Sequence, residues 1–522
     1  MKVLFIYPNL NAEEGFNHGV ACLAGALKAR GHRVSLINLN ESLAEVPSIE
    51  QIVDTVRGYN PDVVAFSVQT MQYEHALRIS RAIRAEMPEL RQIIGGVHAT
   101  LCLDELVREG YWELICYGEC DEMFPELITR MERSQDIEGL PNLAIKQSDG
   151  KYRINPLGPY PDLSKLPPED YEIFELDNML SKKNGWLSIL TSRGCPYKCS
   201  YCFNYELSSL YAEHGHRRKE YLRRYPVARV IGEIRELIEK HPLIETIIFD
   251  DDLFTLDTDW VVEFCRAYNE SGIEVPFVVN AHVQSFNERA AEALGASKCK
   301  IVKFGVESGS EELRRNFLKR YMTNDAIAKA FGLCDKYNLH SSAFLMFGMP
   351  GETQEQIFQT IDLIVRIKPG RMRWSVFYPF PGTLSYKIAE DRGLIDFEKL
   401  SKLDNYFVAT ALKFDSQTEL FVNKLQRTFH WYVNARIDWP ASETYRKQIK
   451  ELEKISADDW PTKREEILNI DREISDELLR REISHYSIRY TEVMAVHSDY
   501  LLSERPEYRN QKSKTWRESQ SI

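Results

Sequence analysis

Short apolar runs rich in β-branched residues alternate with helix-like segments along the first 145 residues. Because parallel strands must be joined by crossovers, which are usually helices, this alternation predicts a parallel sheet covered on both faces. Five such runs predict a flavodoxin-like (Rossmann-like) doubly wound α/β domain over residues 1–145, with its strand order left open. The strand-like runs are 2–8, 33–39, 62–68, 91–96 and 112–119.

A second alternation of strands and helices begins near residue 185, after a Pro-rich stretch. Residues 154–172 hold five prolines, which remove backbone donors and fix φ, so residues 146–184 are predicted to form an extended linker. Six βα units predict an open, partial (β/α)6 barrel over residues 185–400. Its predicted strands are 186–192, 245–250, 274–281, 298–306, 339–348 and 371–379.

The strand signal fades beyond residue 400. The spacing at 418–436 and in two later charged segments predicts a helical C-terminal domain over 401–505, followed by a polar tail over 506–522. The aromatic residues of this domain either line a substrate cavity or, given their helical spacing, belong to its core. They are Tyr406, Phe407, Phe421, Phe429, Trp431 and Tyr432.

Charge and hydropathy exclude several classes of protein. The 78 acidic residues outnumber the 66 basic ones, giving a net charge of −12, and this balance argues against a nucleic-acid partner. There is no apolar run of ~20 residues for a transmembrane segment and no signal-peptide pattern at the start. Ten cysteines without a small-scaffold disulfide pattern suit a reducing compartment. We therefore expect a cytoplasmic enzyme.

Three cysteines with C-x3-C-x2-C spacing follow the first strand of the second alternation, in the stretch "TSRGCPYKCSYCFN". Loops at the carboxyl ends of barrel strands carry active sites, and Cys195, Cys199 and Cys202 lie in such a loop. Three thiolates suit a [4Fe–4S] cluster that keeps one iron open for an amino and a carboxylate group. The alternative is a zinc site completed by a distant residue. The isolated cysteines, predicted to be core thiols, are Cys265, Cys299 and Cys334.

This loop resembles that of the radical SAM superfamily, in which an aromatic residue, here Tyr201, precedes the third cysteine. Segments 247–254, 302–310, 344–353 and 377–383 resemble later strand motifs of the same superfamily. The resemblance implies a cluster held by the three cysteines, with S-adenosylmethionine (SAM) on the open iron. Further cofactor-binding residues that it implies are Tyr201, Asp251, Asp252, Asn280, Gln284, Glu307 and Ser308.

The loops of the first domain resemble the cobalamin-binding domain of cobalamin-dependent radical SAM enzymes. No G-x-G-x-x-G follows the first strand, so a dinucleotide site lacks its main support. The resembling loops are 7–11, 67–72, 95–100 and 117–124. The implied cobalamin-binding residues are Asn9, Ser67, Gln69, Thr70, Gln72, Gly95, Gly96, His98, Gly118 and Glu119.

The histidine motif D-x-H-x-x-G, which coordinates cobalt in many cobalamin proteins, does not occur in the sequence. The resemblance therefore implies a cobalamin without a protein histidine ligand, with side chains of 69–73 packed beneath the cobalt. We expect His98 to form a hydrogen bond to the cofactor or the loop backbone, and Cys116 and Cys120 to be buried thiols. The basic run 213–224 is either a solvated face or a contact for an anionic substrate group.

The resemblance implies a C-methyltransferase that acts on an unactivated carbon through a 5′-deoxyadenosyl radical and methylcobalamin. A cobalamin-dependent radical SAM cyclase or ring-rearranging enzyme is the first alternative. A tRNA methylthiotransferase, which needs a second cluster, and a non-enzymatic iron–sulfur scaffold or corrinoid sensor are further alternatives. The expected partners are a small-molecule substrate (a natural-product intermediate, a lipid or a tetrapyrrole) and an external electron donor such as flavodoxin or ferredoxin.

Overall fold

The computed structural model of the chain describes residues 1–12, 15–403, 409–489 and 497–500. Tyr406, Phe407 and the predicted tail 506–522 lie outside the described residues. The chain divides into two compact units. The first comprises Met1–Phe254, Ala267–Pro276 and Phe380–Lys387, and the second comprises Thr255–Arg266, Phe277–Pro379 and the residues from Ile388 onward.

The first unit begins with a seven-stranded sheet of order β2-β1-β3-β4-β5-β6-β7. Its first five strands pair in parallel, and the order 2-1-3-4-5 is the flavodoxin-like one, which confirms the predicted doubly wound fold. The strands are β1 (Lys2–Pro8), β2 (Arg33–Leu39), β3 (Val63–Ser67), β4 (Arg91–Gly95), β5 (Leu114–Cys116), β6 (Leu143–Lys146) and β7 (Tyr152–Ile154).

Both faces of this sheet are buried under helices. Alternate residues of β1 enter different cores: Val3 and Phe5 pack in one cluster, Leu4 and Ile6 in another. This is why the strand reads as a continuous apolar run rather than as an alternating one. The helices of this region are α1 (His18–Ala29), α2 (Ile49–Tyr59), α3 (Tyr73–Glu86), α4 (Val97–Leu101), α5 (Leu103–Glu109), α6 (Met123–Glu132) and α7 (Leu176–Lys182).

The region predicted as a linker, 146–184, contains β7 and α7, and its Pro-rich part packs against α1. The Asp170 amide donates to the Ala21 carbonyl at 3.0 Å. A Cβ on Gly25 would lie 2.2 Å from the Pro168 carbonyl oxygen, so α1 and this segment touch backbone to backbone. The sequence pattern missed β6 and β7 because strands of three or four residues carry little periodicity.

The first unit continues into the region predicted as a barrel. Strand β11 pairs in parallel with β8, and β9 pairs in antiparallel fashion with β10, which aligns Arg193 with Arg223. The elements are β8 (Trp186–Ile189), β9 (Ser192–Arg193), α8 (Phe203–Glu213), β10 (Arg223–Arg224), α9 (Val227–Lys240), β11 (Thr246–Phe249) and α10 (Thr258–Glu270), the last of which spans the boundary between the units.

In the second unit β12, β13, β14 and β15 pair in parallel in that order. The six strands predicted for the partial barrel are thus all present, β8 and β11 in the first unit and the other four in the second. The elements are β12 (Phe277–Ala281), α11 (Glu288–Gly295), β13 (Cys299–Glu307), α12 (Glu311–Asn316), α13 (Asn324–Lys336), β14 (His340–Phe347), α14 (Gln354–Ile367), β15 (Arg371–Val376), α15 (Leu384–Asp391), which spans the boundary between the units, and α16 (Phe397–Lys402).

The C-terminal region is helical, as predicted, but it also contributes two strands. Strand β17 pairs with β15 and with β16 in antiparallel fashion. Their pairing depends on a sheet partner distant in sequence, which is why the local pattern did not indicate strands. The elements are α17 (Ser416–Arg436), α18 (Ser442–Glu453), α19 (Trp460–Arg480), β16 (Tyr486–Arg489) and β17 (His497–Tyr500). None of the helices described combines the length and apolar content that crossing a bilayer requires.

Candidate active site

A cavity of about 250 Å³ opens in the first unit beside the ends of its parallel strands. The strand order reverses between β1 and β3, and open α/β sheets bind ligands at such a switch point. Among the predicted residues, the cavity is lined by Ser67, Gly95, Gly96, Gly118 and Glu119. It is also lined by residues that the sequence did not single out, notably His18, Asp121 and Arg193.

The two glycines after β4 have different roles. Gly96 has φ +94°, and a Cβ there would lie 2.7 Å from the Val68 amide nitrogen. The close approach of the loop after β3 therefore requires a glycine at this position. The nearest atom to a Cβ on Gly95 would be the Cys116 Cβ at 3.6 Å, an ordinary contact. Gly95 therefore leaves space at the cavity wall, as expected for close approach of a ligand, whereas Gly96 is needed for the backbone path.

Several predicted residues hold the loops together outside the cavity lining. Gln72 is buried; it donates to the Leu10 carbonyl at 2.7 Å and accepts from the Leu10 amide at 3.3 Å. Gln69 is exposed and donates to the Tyr7 hydroxyl at 3.0 Å. Asn9 is buried, and its carbonyl accepts from the Asn40 side chain at 2.9 Å. Thr70 is half-buried in the single helical turn after β3.

His98 is buried and does not line the cavity. Its ring stacks on Tyr73 with centroids 4.4 Å apart, and its amide donates to the Val68 carbonyl at 3.0 Å. Burial lowers the pKa of His98 to about 4, so the ring is neutral. Its Nδ1 has no hydrogen-bond partner among the described residues. Its main-chain amide thus contacts the loop, and the hydrogen bond to the cofactor or the loop backbone that we expected of His98 stays a prediction for its side chain.

His18, at the start of α1, is a histidine of the cavity lining that the sequence interpretation missed. Its Nδ1 lies 2.7 Å from a Glu169 carboxylate oxygen and its Nε2 lies 2.9 Å from the Ser188 hydroxyl. Ser188 in turn donates to Asp250. Burial disfavours the charged ring, but the charge and hydrogen bond of Glu169, together with the charges of Asp250 and Asp251, outweigh it, so the pKa of His18 is raised. Both ring nitrogens are thus engaged within the chain.

The three cysteines of the loop after β9 are free thiols, and Cys199 is buried. Burial, together with the charges of the neighbouring cysteines, raises the pKa of Cys195 to about 12 and that of Cys202 to about 11. The thiols therefore lie close enough to repel one another as thiolates, a repulsion that bound iron relieves. Half-buried Tyr201 precedes the third cysteine.

No group of three His, Cys, Asp or Glu side chains in the described part of the chain is arranged to hold a single metal ion. A [4Fe–4S] cluster requires a different arrangement of ligands, since each thiolate binds a different iron atom. Three free thiols in one short loop fit that donor set, so the loop remains the predicted cluster site.

Two aspartates after β11 fix the cysteine loop from behind. Asp251 is fully buried and accepts from the Thr191 amide and hydroxyl, each at 3.0 Å, and from the Ser192 hydroxyl. Burial raises the pKa of Asp251 to about 6 against these hydrogen bonds. Asp252 accepts from the Gly194 amide at 3.2 Å and from the Asn204 side chain at 2.6 Å. Both predicted cofactor-binding carboxylates thus position the backbone around the cysteines.

A buried ion network joins the cavity to the cysteine loop. Arg193, two residues before the first cysteine, donates to Asp121 through both terminal nitrogens, at 2.8 and 2.9 Å, and to Glu119 at 2.9 Å. Arg223, opposite it on β10, also pairs with Glu119, at 2.5 Å. Arg193, Asp121 and Glu119 all line the cavity. The only sequence signal for this network is the position of Arg193 between a strand and a cysteine.

The remaining predicted residues lie in the second unit. Ser308 is buried; its hydroxyl lies 3.3 Å from that of Thr360 and accepts from the Ser310 amide. Glu307 ends β13 with φ +65°, at a register irregularity. Asn280 is half-buried in β12, and Gln284 is exposed and donates to the Tyr321 carbonyl at 3.2 Å. A residue other than glycine with positive φ at a strand end is a frequent mark of a functional site.

Comparison with known families agrees with this arrangement. The profile of the B12 binding domain matches residues 12–128, which include the cavity-lining ends of β3, β4 and β5. The profile of the Radical SAM superfamily matches residues 189–364, which include all three cysteines. The chain belongs to the cobalamin-dependent radical SAM enzymes. Its cofactors are a [4Fe–4S] cluster, SAM and cobalamin.

Relatives of this radical SAM enzyme carry names from two kinds of chemistry. It is 26% identical over 404 residues to an uncharacterized methyltransferase of Pyrococcus horikoshii, covering 76% of this chain and 84% of that one. It is 24% identical over 432 residues to the anaerobic magnesium-protoporphyrin IX monomethyl ester cyclase of Rubrivivax gelatinosus, covering 80% of this chain and 74% of that one.

The fold also matches a solved structure. The radical SAM methyltransferase TsrM of Kitasatospora setae, with cobalamin and a [4Fe–4S] cluster bound, superimposes with a TM-score of 0.59. The match has 20% sequence identity and covers 75% of this chain and 78% of that one. At this identity the match confirms the α/β fold of the enzyme.

Proposed function

We propose that this radical SAM enzyme is a C-methyltransferase that acts on an unactivated carbon of a small molecule. The observation that carries the proposal is the position of Arg193, which lines the cavity of the B12-binding region and also leads into the cysteine loop. A methyl donor and a radical generator must reach the same substrate. The shared buried arginine supports such a coupling because it ties both predicted sites into one unit.

The chain's own residues would hold the cofactors. Cys195, Cys199 and Cys202 supply the three thiolates of the cluster, and the open iron is left for SAM. The cavity of about 250 Å³ is far smaller than a whole cobalamin, so it suits one arm of the molecule, such as its nucleotide tail. When bound, the cluster and SAM supply a 5′-deoxyadenosyl radical, and methylcobalamin supplies the methyl group.

The protein's contribution in this proposal is orientation and exclusion of water. Asp251 and Asp252 fix the backbone that leads into Cys195 through the Thr191 and Gly194 amides. Asp252 also holds the side chain of Asn204, whose amide nitrogen lies 3.9 Å from the Cys202 sulfur. Glu307 and Ser308 remain the predicted contacts for SAM in the second unit. None of these roles requires a proton to move, which agrees with a reaction that exchanges a hydrogen atom and a methyl radical.

The name of the Rubrivivax gelatinosus relative favours one second candidate, a cyclase that uses the same cofactors without methyl transfer. SAM labelled in its methyl group separates the two, with a tetrapyrrole among the candidate substrates. Label in the product supports methyl transfer. A product without label, formed together with 5′-deoxyadenosine, contradicts the proposal and favours cyclisation or rearrangement.

A further inference from the structure

A cationic surface lies on the segment that follows the cysteine loop. We call Arg217, Arg218 and Lys219 the cationic turn; all three are exposed, Arg217 to 73%. Lys198, inside the cysteine loop itself, is also exposed. Two nearby exposed carboxylates, Glu213 and Glu220, offset part of this charge. Cations still outnumber carboxylates here, whereas the whole chain carries a net charge of −12.

The cationic turn packs directly behind the cysteines. Tyr221, which ends the turn, is buried, and its carbonyl oxygen would lie 2.3 Å from a Cβ on Gly194, the residue before Cys195. The Tyr221 hydroxyl donates to the Asn204 side chain, whose amide nitrogen is 3.9 Å from the Cys202 sulfur. A single buried layer therefore separates the turn from the predicted cluster ligands.

The turn also rests on the helix that begins at the third cysteine. Arg218 donates to the Ser209 hydroxyl at 3.2 Å, and its guanidinium lies 5.5 Å from the centre of the Tyr205 ring, both on α8. Cys202 is the N-cap residue of α8. These contacts hold the Arg218 side chain against the helix that begins at the third cysteine.

The cations of this surface form few ion pairs within the described part of the chain. Lys198 and Lys219 form no ion pair with any described residue, and Arg217 pairs only at 3.6 Å, with Glu220 in its own turn. Arg223, six residues after Arg217, is by contrast paired with Glu119, whose side chain is only 11% exposed. Exposed charges of this kind contribute little to folding and act mainly on an approaching charged partner.

We propose that the cationic turn, together with Lys198, is the docking surface for an acidic one-electron carrier of the flavodoxin type. The inference rests on the proposed function only in requiring that the three cysteines hold a cluster. One electron leaves the reduced flavin of the carrier and one enters the cluster, with no atom transferred. Because the enzyme as a whole repels an acidic protein, a local cationic surface beside the cluster steers the carrier to the productive orientation.

Charge reversal tests the proposal with a matched control. The test variant is Arg217→Glu, Arg218→Glu and Lys219→Glu; the control, Lys447→Glu, Lys450→Glu and Lys454→Glu, changes the same charge on exposed positions of or beside α18. Formation of 5′-deoxyadenosine is measured with reduced flavodoxin or with dithionite, a small reductant that needs no docking. With flavodoxin the test variant should be at least about tenfold slower than wild type. With dithionite all three proteins should be equal.

Direct binding supplies a readout independent of turnover. Oxidised, fluorescently labelled flavodoxin is titrated with each holoenzyme at about 20 mM and about 200 mM salt. Wild type and control should bind and weaken with salt, and the test variant should lose affinity at low salt. Equal behaviour of test and control variants overturns the proposal.

Two other results are equally informative. If the test variant loses the binding of a short RNA that wild type shows, but still binds flavodoxin, the surface belongs to a nucleic-acid site and the proposal is overturned. Wild type that binds flavodoxin through the cationic turn but forms no 5′-deoxyadenosine even with dithionite would contradict the proposed function while supporting the docking surface.

Discussion

The guanidinium of Arg193 and the carboxylate of Asp121 form a two-point ion pair, with nitrogen–oxygen distances of 2.8 and 2.9 Å. Asp121 follows the last parallel strand of the B12-binding region, and Arg193 precedes the first cysteine of the radical SAM loop. Both side chains are largely shielded from solvent, since Asp121 is 8% exposed and Arg193 is 16% exposed. The pair is therefore a rigid, low-dielectric connection between the predicted sites of two cofactors.

Removing one partner of this pair should destabilise the first unit strongly. Arg193→Met leaves Asp121 and Glu119 as buried carboxylates with one fewer cation, and a change of this kind costs about 3 kcal/mol of unfolding free energy. We expect a lower urea midpoint and less retained cobalt per chain. The double variant with Asp121→Asn should recover part of the loss. The exposed pair Arg289–Asp259 is the control, and Arg289→Met should leave the midpoint unchanged.

Each of the three loop cysteines should be needed for the cluster. Cys195→Ala, Cys199→Ala and Cys202→Ala each leave one iron without a protein ligand, so iron should fall well below the value of about four per chain expected for one cluster. Formation of 5′-deoxyadenosine should fall with it. Cys102→Ala removes a buried thiol elsewhere and should keep both. A cysteine variant with full iron and full activity would refute the site.

Gly96→Ala should disturb the cavity of the B12-binding region through the backbone. Its Cβ would lie 2.7 and 2.8 Å from backbone atoms of Val68, and its φ of +94° is strained for any L side chain. We expect a loss of about 1–3 kcal/mol in unfolding free energy, with reduced cobalamin retention in visible spectra. Gly58→Ala, in α2 with open space around it, should instead stabilise by about 0.5–1 kcal/mol. Equal effects of the two substitutions would contradict this account.

Buried Glu352 should make the second unit less stable as the pH rises. Burial raises the pKa of Glu352 from 4.5 to about 8, and one carboxylate oxygen has no hydrogen-bond partner among the described residues. Because the folded state keeps the proton longer than the unfolded state, stability is full below pH 4.5 and declines towards pH 8. The limiting slope is about 1.4 kcal/mol per pH unit.

The matched variants for this prediction are Glu352→Gln and Glu355→Gln. The first removes the buried titrating group and should flatten the decline in urea midpoint between about pH 5.5 and pH 7.5. The second changes an exposed carboxylate in the following helix and should keep the wild-type decline. A Glu352→Gln protein with an unchanged pH dependence would show that another group causes the decline.

Long apolar runs predicted the fold, and the resemblance of the cysteine loop and the first-domain loops to known families implied the cofactors. The strands predicted at 2–8 and 33–39 match β1 and β2 in full. Strand β1 is buried on both faces and is therefore almost entirely apolar, whereas β2, at the edge of the sheet, is mostly half-buried and mixes apolar with polar residues. The C-x3-C-x2-C spacing is local, so its chemistry can be inferred without tertiary structure. Short β6, β7, β16 and β17 were missed because their stability comes from partner strands rather than from their own pattern.

The sequence by itself determined a doubly wound domain, six parallel barrel strands and three thiols for a cluster, because each of these depends on residues close together along the chain. Only the tertiary structure decided that His18, Asp121 and Arg193 belong to the cavity, and that Asp251 and Asp252 brace the cysteine loop. Those roles arise where residues far apart in the sequence pack together in a low-dielectric environment. Arg193 and Cys22, for example, are 171 positions apart and form a hydrogen bond. Hydropathy and residue spacing do not reveal contacts between residues so far apart in the sequence.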